Sequence, residues 1–264
     1  MQIATWNVNS VRTRIEHVKE WLTARTPAVL CLQETKVQDG EFPRAAFAAL
    51  GYESAIYGQK TYNGVSLHRT GTLNDVWYGF PDPSMNEQKR VIAATVGGIR
   101  IVNAYVPQGV SPESEKFRYK LEFLHHLRDY AEQLLKEHEY LVLLGDFNIA
   151  PHDRDLFDPS LFQDQVMFHP LEHEALRALE ALGMKDALRL VTDAPGIYSW
   201  WDYREGAFWK NRGIRLDLIW VSPALAPHVE SVVMERDMRK KKQPSDHVPV
   251  VLTLKELPCM KCQS

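Results

Sequence analysis

A chain of 264 residues, 45% hydrophobic and 25% charged, can bury one substantial core and has the composition of an ordinary folded protein. Its net charge of −3 excludes a protein that coats nucleic acid through bulk positive charge, and no apolar run approaches the roughly 20 residues needed to cross a bilayer. The opening MQIATWNVNS lacks the basic-then-apolar form of a signal peptide and three cysteines make no disulfide framework, so a cytoplasmic protein with no membrane contact is expected.

Met1 to Asn9 reads as a short buried strand ending in Asn7 and Asn9, and Arg12 to Thr23 has helical spacing through Val18, Trp21 and Leu22. After Pro27 the run Ala28 to Gln33 is apolar, contains Cys31, and delivers Glu34 and Lys36 at its exit. Phe42 to Leu50 predicts an amphipathic helix stopped by Gly51, followed by a meander over Tyr52–Tyr57, Gly64–His68 and Leu73–Tyr78. Arg90–Val96 and Arg100–Val106 continue the strand pattern, the second with Tyr105 near its end. Ser114 to His138 is periodic in Phe117, Leu121, Leu124, Leu127 and Leu134 and predicts a long helix.

Tyr140 to Pro151, YLVLLGDFNIAP, then reads as a buried strand that ends in polar groups. On an extended chain Asp146 and Asn148 point to one side and Phe147 to the other, so the pair could hold a metal, position a water, or simply form a turn. Pro151 to Pro170 is a long irregular insertion, Leu171 to Leu182 returns to helix, and Ile197–Tyr203 and Ile214–Val221 read as strands around an aromatic and basic loop. Val248 to Leu254 is the final strand and follows PSDH. The tail CxxC of Cys259 and Cys262 lacks the second pair of a tetrahedral zinc site. With no sharp linker, residues 1–256 are expected to form one domain and residues 257–264 a flexible tail.

Asn7, Glu34, Tyr105, Asp146, Asn148, Asp217, Asp246 and His247 all fall in or at the ends of predicted strands. A sheet that gathers strand termini at one edge would bring them together, as ligands gather at strand ends in α/β folds. The motifs that hold them are TWNVNSVR (from Thr5), LQETK (Leu32), YVPQG (Tyr105), GDFNIAP (Gly145), RLDLIWVS (Arg215) and SDHVPV (Ser245), with GQK (Gly58) and SWWDYR (Ser199) between. In this order, and across nearly the whole chain, they resemble the exonuclease III family of DNA-repair nucleases.

The resemblance implies a four-layer α/β/β/α sandwich with two packed mixed β-sheets and a divalent-metal phosphodiesterase site at one end. It places magnesium, or manganese as a substitute, on Glu34, with Asn7 and Asp246 as further or water-mediated ligands; a hard cation suits such oxygen donors. It makes Asp146 the residue that orients or deprotonates water and Asn148 the one that holds the nucleophile or a phosphate oxygen. Asp217 then pairs with His247 at the scissile phosphate, and Tyr105 lies near the phosphate or leaving group.

The implied partner is duplex DNA with abasic sites or 3′ ends, cut by a monomer. Arg204, Trp209, Lys210, Arg212 and Arg215 are the expected DNA-binding residues, since cations meet phosphates while aromatic faces meet bases or a sugar. Trp200 and Trp201 alternate, so one of them is expected to point inward, and RKKK at Arg239 to Lys242 is a second candidate for backbone contact. The insertion QDQVMFHPLEH departs from the family where an extruded abasic sugar would sit. If Met167 or His169 walls that pocket, 3′ ends are favoured over internal abasic sites. Two other readings stand beside this one: a superfamily phosphodiesterase acting on non-DNA phosphate esters, and a non-catalytic nucleic-acid-binding relative.

Overall fold

The protein was analysed as a computed structural model that describes residues 1–257; Cys259 and Cys262 lie outside the described residues. The chain builds a first βαβ unit from β1 (Gln2–Asn7), α1 (Val11–Arg25) and β2 (Val29–Gln33), the two strands pairing in parallel. After the short α2 (Arg44–Ala48), β4 (Val65–Thr70) pairs antiparallel with β2 and β3 (Tyr52–Tyr57) pairs antiparallel with β4 at the sheet edge. β5 (Asn74–Tyr78), β6 (Val91–Val96) and β7 (Ile99–Tyr105) form an antiparallel meander, and α3 (Glu115–Glu137) crosses over to β8 (Leu141–Asp146), parallel to β7. The remainder is α4 (Pro170–Ala181), β9 (Lys185–Asp186), α5 (Ala187–Val191), β10 (Asp217–Val221), β11 (Val229–Met234) and β12 (Val250–Leu254).

These strands make two mixed six-stranded sheets, ordered β11-β12-β1-β2-β4-β3 and β5-β6-β7-β8-β10-β9. Ile3, Cys31, Leu67, Ile101, Val142, Leu144 and Ile219 fill the layer between the sheets. Their sequence neighbours face the helices: Ala4, Leu30 and Leu32 meet α1 through Val18, Trp21 and Leu22, while Leu141, Leu143 and Trp220 meet α3 and α4 through Leu127, Leu134 and Leu176. Both faces of the central strands are therefore covered, which is why they read as continuous apolar runs rather than alternating ones. Packing extends to Leu257, which is buried in the intersheet core. No helix among the described residues is long and apolar enough to cross a membrane.

Local chemistry fixes the helix ends. Ser114 caps α3 by accepting from the Phe117 amide (3.1 Å), and α1 stops at left-handed Thr26 (φ 44°) just before Pro27. Two predicted elements differ, and one strand has no counterpart among them. The helix expected from Phe42 starts only at Arg44, because Pro43 takes the capping position. Ile197–Tyr203 is not a strand: Trp200 makes isolated bridges to Ile214 and His247, and the Ser199 hydroxyl takes the Leu216 and Asp217 amides that a neighbouring strand would have used. β11 was not foreseen, since its VESVVM is half-exposed at a sheet edge and carries little periodic signal.

Among the buried polar groups, His68 on β4 lies stacked against Phe47 (3.9 Å between ring centres) and is hydrogen-bonded to Ser54 (2.7 Å) and Ser66 (2.8 Å). Burial, with help from Arg44, lowers its pKa to about 3. The unfolded chain therefore takes this proton first as pH falls below 6.5, so the associated stability is complete above 6.5 and drains as pH falls toward 3. Each pH unit inside that window removes up to about 1.4 kcal/mol. Denaturant unfolding at pH 7, 6 and 5 should show a clearly shallower pH slope in His68→Gln than in the parent; equal slopes would contradict the buried neutral imidazole.

Candidate active site

The parallel strands β1, β2, β7 and β8 all leave the sandwich at the same end, and β10 and the segment before β12 enter there. That arrangement gathers Asn7, Glu34, Tyr105, Asp146, Asn148, Asp217, Asp246 and His247, the groups singled out from strand ends. Tyr105 and Asp146 are direct neighbours in the β7–β8 register, and Asp146 lies opposite Asp217 in the β8–β10 register.

Asp146 sits at the centre. Its carboxylate accepts from Asn7 Nδ2 (2.9 Å), the Asn148 amide (2.9 Å) and Asn148 Nδ2 (3.3 Å), and lies 3.7 Å from His247 Nε2. Asn148, in the left-handed region (φ 51°), also donates to Val106 O (3.0 Å), so in this arrangement it orients Asp146. Burial raises the Asp146 carboxyl to about 7; His247 opposes that rise and Asp217 adds to it. A carboxylate tuned close to neutrality is suited to taking a proton from water.

His247 is buried between two carboxylates, with Nδ1 2.8 Å from Asp217 Oδ2 and Nε2 facing Asp146. Burial alone would lower its pKa, but Asp217 and Asp146 outweigh that and raise it to about 10. The imidazolium is therefore the resting form. Asp146, Asp217 and His247 lie close enough together to hold an ion, and here the two carboxylates hold the imidazolium directly. The Asp217–His247–Asp146 chain of contacts can carry charge from one carboxylate to the other.

Glu34 lies in a second cluster of oxygen donors. It follows β2 in a left-handed turn (φ 52°), one oxygen accepting from the Tyr105 hydroxyl and the other facing the Lys36 ammonium at 2.9 Å. Tyr105 is kept a phenol by burial and by the Glu34 carboxylate, both of which raise its pKa. Lys36 also donates to Asn9 Oδ1 (2.6 Å), and Asn9 donates to Asp246 Oδ1 (3.0 Å). Trp200 Nε1 holds the other Asp246 oxygen at 3.0 Å. With Asn7, Glu34 and Asp246 as the donors, the set is all oxygen, and Glu34 already faces the Lys36 ammonium, which fits a hard divalent ion. Because both Asp246 oxygens are hydrogen-bonded, its position suits contact through water.

The expected DNA-binding residues divide. Trp209 is 75% exposed beside exposed Lys210; Arg204 is exposed and paired with Asp202 (2.6 Å), and half-exposed Arg212 lies 3.5 Å from Glu205. Arg204 and Arg212 rim a cavity of about 760 Å³ that Gln108, Phe162, Met167 and Trp200 also line. Arg215 is a correction. It is 1% exposed and binds Asp155 and Asp186 with its whole guanidinium, so it is a structural cation that ties the insertion to β9. Of the two candidates for the pocket wall, Met167 lines the cavity, while His169 caps α4 and packs on Phe117. In RKKK, Arg239 turns inward onto Tyr203 and Phe208, while Lys240 and Lys241 pair with Asp237 and Glu20. Of the two tryptophans, Trp201 is the buried one.

Sequence reasoning assigned no role to Asn9, Lys36 or Arg90. Asn9 and Lys36 lie inside the quoted motifs two residues from Asn7 and Glu34, a spacing that signals a shared side. Arg90 stacks over the Tyr105 ring (4.6 Å) and donates to its carbonyl (3.1 Å), a long-range contact with no local signature.

A family model described as the endonuclease/exonuclease/phosphatase family matches residues 4–247. The chain belongs to that family. It is 34% identical over 262 residues to exodeoxyribonuclease III of Haemophilus influenzae, covering 95% of this chain and 98% of that one. It is 31% identical to the zebrafish (Danio rerio) DNA repair nuclease APEX1, covering 96% of this chain and 82% of that one. A 3′ phosphatase from Neisseria, solved as an Asp-to-Asn variant with a product DNA hairpin, superposes with a TM-score of 0.95 at 39% identity over 97% of this chain and 100% of that one. An AP endonuclease from Archaeoglobus fulgidus superposes with a TM-score of 0.93 at 36% identity over the same shares. The family member described above is thus a hydrolase of the exonuclease III type, with the α/β sandwich of those structures.

A direct check on the site's electrostatics is the titration of His247 by NMR in metal-free protein. The imidazole should remain protonated well above pH 6.5, and Asp217→Asn should bring its midpoint down by at least about one unit, the scale of losing one adjacent carboxylate. An ordinary midpoint in the parent would refute the relay.

Proposed function

We propose that this enzyme is a magnesium-dependent phosphodiesterase of DNA repair that acts on duplex DNA and favours 3′ ends over internal abasic sites. The observation that carries the reading is the convergence of Glu34, Tyr105, Asp146, Asn148, Asp217 and His247, with Asn7, at one end of the paired sheets. Asn7, Glu34 and Asp246 would hold the ion, directly or through water, with manganese as a substitute. When bound, the ion neutralises phosphate charge and polarises the scissile bond.

The chain's own groups do the rest. Asp146, held by Asn7 and Asn148, accepts the proton of a water attacking in line with the leaving oxygen. The His247 imidazolium, held by Asp217, places positive charge where the phosphate oxygens gain electron density. Tyr105 offers a phenolic proton beside Glu34. Arg204, Lys210 and Arg212 suit phosphate contact and Trp209 suits stacking, both short of the cavity floor.

The preference for 3′ ends rests on Met167, a long side chain that lines the cavity together with Trp200 and Phe162 and would narrow the room for a flipped sugar there. The Neisseria relative is a 3′ phosphatase and the Archaeoglobus relative an AP endonuclease, so the preference stands on Met167 and not on the relatives. A phosphodiesterase of small phosphate esters would have little use for the exposed Trp209 and its cations, and a non-catalytic relative would not keep every one of these groups.

Purified protein with magnesium should clean a 3′-phosphate duplex faster than it cuts an internal abasic duplex, and Asp146→Asn should lower both rates by about three orders of magnitude without loss of fold. No magnesium-dependent cleavage of either duplex would overturn the reading; equal rates on the two would sink the 3′ preference. Met167 adopts φ 79°, a conformation glycine takes freely. Met167→Gly should therefore lower the melting temperature only modestly, relief of the backbone strain offsetting part of the lost packing, while raising abasic cleavage by about tenfold, and an unchanged substrate ratio would clear Met167 of the role.

A further inference from the structure

Behind the site, between α3 and α4, lies an ion pair in the core. Lys120 of α3 and Glu172 in the first turn of α4 are both fully buried and in direct contact. Burial lowers the Lys120 pKa and Glu172 acts against that shift. Two charges in a core are often no more stabilising than an apolar pair of the same volume, so stability alone does not account for them. Their hydrogen bonds do. Lys120 Nζ donates to the carbonyls of Asn148 (2.8 Å) and Gln108 (3.2 Å), while Glu172 accepts from the amides of Met167 (3.2 Å) and His169 (2.9 Å).

One pair thus reaches the turn that orients Asp146, the loop that follows Tyr105, and the backbone of the residue walling the cavity. Two of the anchored residues have strained, left-handed backbone, Asn148 at φ 51° and Met167 at φ 79°. Such conformations persist only where the surroundings over-determine them. Around Met167 the determining bonds are the one to Glu172 and the one its carbonyl accepts from the Ala150 amide (2.8 Å).

We propose that Lys120 and Glu172 are positioning residues, a buried ion pair that locks the Asn148 turn and the Met167 wall into one unit and so sets both the rate and the substrate choice. The proposal rests on the phosphodiesterase reading above. An apolar replacement would fill the space yet leave two carbonyls and two amides without partners, and the turns would relax. A displacement of about 1 Å at a catalytic group lowers rate by on the order of 10².

The test is Lys120→Met with Glu172→Gln in one protein, which removes both charges at nearly constant volume. Thermal melts, kcat and KM would be measured with magnesium on the 3′-phosphate and internal abasic duplexes. The variant should fold, lose about tenfold or more in kcat on the 3′-phosphate duplex with KM within about threefold, and raise the abasic to 3′-phosphate ratio at least about fivefold. A smaller folded fraction scales both rates alike and cannot move that ratio. If the double variant does not fold, Glu172→Asp, which keeps the charge and shortens the reach by one methylene, must show the same split. A folded variant with the parent's kcat and ratio overturns the proposal. A parent inactive on both duplexes overturns the phosphodiesterase reading instead.

Discussion

Burying the Asp146 carboxylate at the seam between two sheets is the constraint on which the rest of the site depends. A carboxylate taken out of water is costly unless hydrogen bonds and opposite charge replace the solvent. Here the replacements come from separate parts of the chain: Asn7 from the end of β1, Asn148 from the turn after β8, and His247 from the segment before β12. Each must lie where the carboxylate needs it, so three connections are specified by one side chain. What remains of the burial cost appears as the raised pKa that makes Asp146 a base near neutral pH. Stability and reactivity are set by the same desolvation.

The second requirement is that two independently twisted sheets present their ends in register. A buried polar bridge just beneath the site does this. Gln33 at the end of β2 donates to Thr5 Oγ1 (2.8 Å) and across the seam to Asn103 Oδ1 (2.6 Å) on β7, and Asn103 donates back to Leu32 O (2.9 Å) and Ser66 O (3.0 Å). Apolar side chains alone would let the sheets slide, because dispersion is not directional. Directional bonds between Gln33 and Asn103 fix the offset, and the residues next along each strand, Glu34 and then Tyr105, meet as a consequence. The bridge is a specificity device more than a source of stability.

How much of this was legible in the chain follows from the range of each interaction. The βαβ units were readable because both faces of β1, β2, β7 and β8 are covered, which writes long apolar runs, and because α3 carries its own cap at Ser114. The gathering of the polar groups at one end of the sandwich was readable because each of them sits at a strand end beside a recognisable turn. Arg215 was misplaced for a physical reason: a guanidinium between aromatics looks the same whether it faces phosphate or two buried carboxylates, and Asp155 and Asp186 are 60 and 29 residues away. Edge strand β11 and the Ser199 cap of β10 likewise depend on partners that no local pattern announces.

Strained backbone marks the site as clearly as its chemistry does. Asn9, Ser10, Glu34, Lys36 and Asn148 all have positive φ without being glycine, and all lie in the turns that leave β1, β2 and β8. A left-handed conformation costs an L residue roughly 1–2 kcal/mol. The turns hold because their backbones bind one another: the Ser10 and Val11 amides donate to Glu34 O (2.8 Å) and Thr35 O (3.2 Å), and Thr35 and Lys36 donate to Gly64 O (3.1 Å) and Asn63 O (2.9 Å). Glycine at these positions would relieve the strain but supply no side chain. With Glu, Lys and Asn there the side chains reach the polar cluster around Asp146 and Asp246, and the ladder of turn-to-turn hydrogen bonds, anchored in two sheets, offsets the cost of aiming them.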